Sequence, residues 1–89
     1  MITVKLIKGS DFKVTVESKS ITQHEVHVSN DFYKLLTDGK VSYENLIKAS
    51  FEFLLERESN NSILSQFDLK VISHYFPEYE KEIKKRLKA

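Results

Sequence analysis

SYENLIKASFEFLLERE, residues 42–58, reads as one long amphipathic helix. Tyr43, Leu46, Ile47, Ser50, Phe51, Leu54 and Leu55 recur at the three-and-four spacing that lines one helix face. Ala49 and Phe53 widen that stripe, while Glu44, Asn45, Lys48, Glu52 and Glu56 take the opposite side. Ser42 stands at the N-cap, where a hydroxyl accepts from a first-turn N–H that the helix leaves unpaired. Glu44 lies at the positive end of the helix dipole and pairs i,i+4 with Lys48. Burying one Phe or Leu side chain contributes roughly 1.5–3 kcal/mol, so this face dominates any core the chain can build. Its breadth leaves two outcomes open: a helix covered on several sides by its own chain, or a seam for a second copy.

Upstream, apolar residues alternate. Ile2, Val4 and Leu6 share one side of a strand, and Phe12, Val14 and Val16 share one side of the next. Lys8-Gly9-Ser10-Asp11 between them is a turn signal. After Ser18-Lys19-Ser20 a third strand is expected over 22–28, with Val26 and Val28 inward. Ser29-Asn30-Asp31 then caps a short helix over 31–37 with Phe32, Leu35 and Leu36 inward, ended by Asp38-Gly39.

Downstream, residues 58–62 are polar and turn-prone, and residues 63–67 read as a helical turn capped by Ser62. Asp68 opens a helix running through Phe76, and Pro77 begins a last one that reaches Lys88. The predicted fold is α+β in one small domain, 1–89: an N-terminal three-stranded antiparallel meander followed by four helical segments, the central one over about 43–58.

Composition narrows the chemistry. The 89 residues carry a net charge of +1, which makes no global case for a polyanionic partner. Without cysteine there is no disulfide, thiol nucleophile or cysteine zinc site. No apolar run approaches the roughly 20 residues of a membrane span, and the alternating start does not look like a signal peptide. The expectation is therefore a cytoplasmic protein with no membrane partner. His24 and His27 fall on opposite faces of a strand and cannot chelate together, so all three histidines, His74 included, are expected at the surface or its boundary. Two glycines cannot make a phosphate-cradling loop, and no serine sits in a nucleophile motif. No catalytic residue, metal ligand or cofactor is assigned, and an enzyme is not expected.

Two groups of residues are left as contact candidates. Phe51, Phe53 and Leu54 belong to the broad helix face; Tyr75, Phe76 and Tyr79 cluster around the break at Pro77, and aromatic residues favour interface centres. Lys84, Lys85 and Arg86 give the chain a basic end next to Glu78, Glu80 and Glu82, a candidate contact for nucleic acid or an acidic protein.

From Ala49 to Ile83 the string ASFEFLLERE and, after a short polar gap, SILSQFDLKVISHYFPEYEKEI resembles a family of small bacterial proteins with no assigned activity. FDLKVISHYFPEYE is the most specific part of that likeness. Residues 24–57 separately resemble a ribbon-helix-helix unit: a strand (EVHVS), a short helix (DFYKLL), a turn (TDGKVS) and a longer helix. That resemblance implies dimerisation by strand pairing and a paired ribbon in the DNA major groove. Gln23 and His27 would then face bases, and Ser42 would meet phosphate at a helix N-terminus. Glu25 departs from the pattern by setting a carboxylate on the reading face. The leading expectation is a non-enzymatic protein-interaction module that self-associates through the central helix or a strand edge, with a homodimer as its simplest form. The alternative is a ribbon-helix-helix-like nucleic-acid-binding regulator.

Overall fold

A computed structural model of the protein describes residues 1–88. The alternating stretches form β1 (Ile2–Lys8), β2 (Asp11–Glu17) and β3 (Ile21–His27), an antiparallel meander as the pattern predicts. Gly9 takes φ 53° in the first turn, a conformation that only glycine adopts freely. Phe12, Val14, Val16 and Val26 are buried on one face, and Lys13, Gln23, Glu25 and His27 stand exposed on the other. Leu6 departs from expectation. It is 59% exposed, because β1 is the edge strand and the core reaches only its Ile2 and Val4.

The sheet has a fourth strand where a helical turn was expected. Residues Gln66–Asp68 form β4, which pairs parallel with β3 and completes the order β1-β2-β3-β4. Five residues are too few for a periodicity to separate strand from helix. What decides is the second edge of β3, whose backbone groups need partners: the Glu25 N–H donates to Ser65 O at 2.8 Å. Two α-helices and a 3-10 turn, Asn60–Ser62, lie between β3 and β4, and a crossover of that kind returns the chain in the same direction.

Those helices are α1 (Asn30–Thr37) and α2 (Tyr43–Leu55). Ser29 Oγ accepts from the Phe32 N–H at 3.1 Å and Ser42 Oγ from the Asn45 N–H at 3.0 Å, so both predicted caps form. Phe32 and Leu36 turn inward while Leu35 faces outward, contrary to expectation. α2 stops at Leu55 rather than running to 58. Arg57 folds back there: its guanidinium lies 3.6 Å over the Phe53 ring and donates to Phe53 O at 3.1 Å, satisfying a carbonyl that the helix end leaves open.

The helix expected over 68–76 is a composite. Asp68 Oδ1 accepts from the Lys70 N–H and opens a 3-10 turn, Leu69–Val71, which runs into the single turn α3 (Ile72–Tyr75). Pro77 forces Phe76 into extended backbone. The last helix, α4, spans Tyr79–Leu87. Helices cover one face of the sheet and leave the other open. No helix among the described residues is long and apolar enough to cross a membrane.

Candidate functional site

The aromatic candidates do not share a surface. Phe51, Phe53, Leu54 and Tyr79 are buried within the chain. Phe53 packs edge-on against Tyr79 at 5.3 Å and Phe76 at 5.9 Å. Ser50 Oγ donates to Leu46 O at 2.8 Å, so the 2.6 Å contact between Ser50 and Tyr79 has the phenol as donor. Burial pushes the Tyr79 phenol well above the usual range. The face of α2 is thus covered by α4 and the sheet, and offers no seam to a second copy. Of the six interface candidates only Tyr75, 67% exposed, and the half-buried Phe76 reach the surface.

These two border a pocket of about 210 Å³ between the end of α2, β4 and α3. Leu54, Ile63, Leu64, Phe67, Val71 and Ile72 make the rest of its apolar wall. Ser62 and Glu58 add polar groups, and among the described residues Glu58 is the one charged residue lining it. Burial against this wall pushes the Glu58 carboxyl above its usual range.

A chain of buried polar groups holds one side of the pocket in place. Asn60 Nδ2 donates to Ser20 O at 3.1 Å and to Thr22 Oγ1 at 3.0 Å. His24 Nδ1 lies 2.7 Å from Leu64 O, an atom that only accepts, so Nδ1 carries the proton. In the neutral ring Nε2 then accepts from Thr22 Oγ1 at 2.9 Å. His24 is therefore buried, not at the boundary as expected, with both ring nitrogens bonded. In sequence, residues 58–62 look like a polar linker and 63–67 like a helical turn, and the one sign of a pocket wall was the apolar pair Ile63-Leu64, of which Leu64 stays exposed at the rim.

A second unfilled surface is the free edge of β1. Leu6 is 59%, Ile7 48% and Met1 82% exposed. Met1 and Glu17 exchange both backbone hydrogen bonds at 2.8 Å. In an antiparallel ladder such exchange recurs at every second residue. Thr3 and Lys5 therefore bond to β2, and the N–H and C=O groups of Ile2, Val4 and Leu6 point to the open edge. Adjacent Leu6-Ile7 was the readable sign, since two neighbours in a strand cannot both face one core.

The nucleic-acid candidates are dispersed. Gln23 and His27 stand on the open sheet face, whereas Ser42, Lys84, Lys85 and Arg86 belong to the helical layer on the other side. Arg86 is bound by Glu56 at 2.6 Å and Glu82 at 3.6 Å. β3 has neighbours on both edges, so it has no edge for the twin strand a ribbon requires. His27 Nδ1 donates to Asp11 Oδ1 at 2.7 Å, an exposed pair beside Glu25 and Asp68. No group of three metal-binding side chains occurs among the described residues. No family model, curated protein or solved structure matches the chain.

Proposed function

We propose that this is a cytoplasmic, non-enzymatic interaction module, a small bacterial protein of the kind its C-terminal segment resembles, and that it self-associates through the edge of β1. One observation carries the reading. The outward backbone groups of Ile2, Val4 and Leu6 complement those of a second β1 laid antiparallel across a two-fold axis at Val4. Val4 then exchanges bonds with its twin, and Ile2 with Leu6 of the other copy. Exposed Ile7 falls opposite exposed Met1, and Lys5 opposite Thr3. An axis at Lys5 would instead set two lysines against each other, which disfavours that register. Two sheets joined in this way make one continuous sheet with both helical layers on the same side.

The test is sedimentation equilibrium of the wild type and Val4→Pro. The Val4 N–H makes no bond to β2, so proline removes only the bond offered to a twin. The wild type is expected to sediment as a dimer and V4P as a folded monomer. A monomeric wild type at high micromolar concentration would defeat the proposal.

A further inference from the structure

We propose that the pocket between α2, β4 and α3 binds a small organic ammonium carried on one ring or a short branched alkyl body. Size comes first. A dry cavity of roughly 150 Å³ accommodates benzene, so about 210 Å³ suits one ring and a short chain rather than a lipid tail or a folded peptide. Chemistry of the wall comes next. Leu54, Ile63, Val71 and Ile72 supply apolar contact, and Phe67 and Tyr75 add aromatic side chains to the wall, a residue type whose ring attracts cations.

Charge decides the ligand's sign. Glu58 makes no ion pair or side-chain hydrogen bond among the described residues, although its near neighbour Glu56 and, just before α4, Glu78 are both held by arginines. A lone carboxylate, already short of water against an apolar wall, gains most from a cation that brings its own apolar body and excludes solvent from the pair. The same carboxylate repels fatty acids and other anionic amphiphiles. Ser62 offers a second polar group beside the ammonium.

The pocket adjoins β4 and the dimer edge is β1, at opposite ends of the sheet, so this inference and the self-association reading fail independently. The probes are 2-phenylethylamine and 3-phenylpropionate, with like rings and opposite charges, titrated at neutral pH into the full chain while backbone amide resonances are followed. The amine is expected to bind with a Kd on the order of 1 mM, shifting residues 62–67 and 71–76, and the carboxylate about tenfold more weakly. Glu58→Gln, on a partly exposed turn, should reduce that preference to about twofold or less. Val71→Phe, which fills the pocket, should abolish both titrations while leaving the rest of the spectrum in place. Equal binding of the two probes, a preference that survives E58Q, or shifts confined to other surfaces would overturn the proposal.

Discussion

At the scale of single residues the core contains two polar arrangements whose hydrogen atoms are fixed by their neighbours. Ser50 sits mid-helix and donates back to Leu46 O, which leaves its oxygen free to accept from Tyr79. The two partners are consequently unequal. Ser50→Ala strands a buried phenol donor and should cost about 1–3 kcal/mol, whereas Tyr79→Phe loses one neutral bond and should cost about 1 kcal/mol. The double variant should recover part of the Ser50→Ala loss, a sign reversal that urea denaturation of the four proteins would reveal. The position of Ser50 on the inward stripe was readable from spacing alone. Its partner was not, because Tyr79 lies 29 residues away and only the packing of α4 on α2 brings them together. His24 failed for the same reason: its strand parity was legible, and the carbonyl that makes its burial tolerable arrives from a distant loop.

At the scale of elements, α2 and α4 are clasped by charge at one end. Arg86 bonds Glu56, Arg57 bonds Glu78, and both guanidinium groups lie near the Phe53 ring. Hydrogen bonding to Arg86 holds the Glu56 carboxyl below its usual range. A depressed carboxyl stabilises the fold above its unfolded value, and that contribution disappears as pH falls through the lower, folded value. A carbon-detected titration of the Glu56 side chain should therefore have its midpoint below the ordinary glutamate range. In Arg86→Gln the midpoint should return toward it; an unchanged midpoint would mean the pair is absent in solution. Element by element, the meander, α1 and α2 were legible because each has a clear period and a cap. The strand β4 and the composite 69–75 segment were not, since each is too short to display a period and takes its shape from a neighbour.

At the scale of the whole molecule, a single layer of helices covers one sheet face, and much of the apolar surface left outside lies at β1 and around the pocket, with Ile21 and Leu35 apart from both. The proposed pairing through β1 would couple folding to association. The Tm should accordingly rise about 3–5 °C for each tenfold increase in protein concentration, and V4P should show no such dependence in calorimetry. The sequence announced a broad apolar helix correctly and left its covering open between the same chain and a second copy, because how much of a face the same chain will cover depends on contacts between distant segments. One of those contacts sets an order of events. His24 meets Leu64 across 40 residues, while each hairpin of the meander closes over a short turn. Closing the longer loop is entropically dearer, so β4 is expected to dock after the meander has formed. A chain caught midway would already display the β1 edge and would still lack a pocket, able to find its twin before it can hold a ligand.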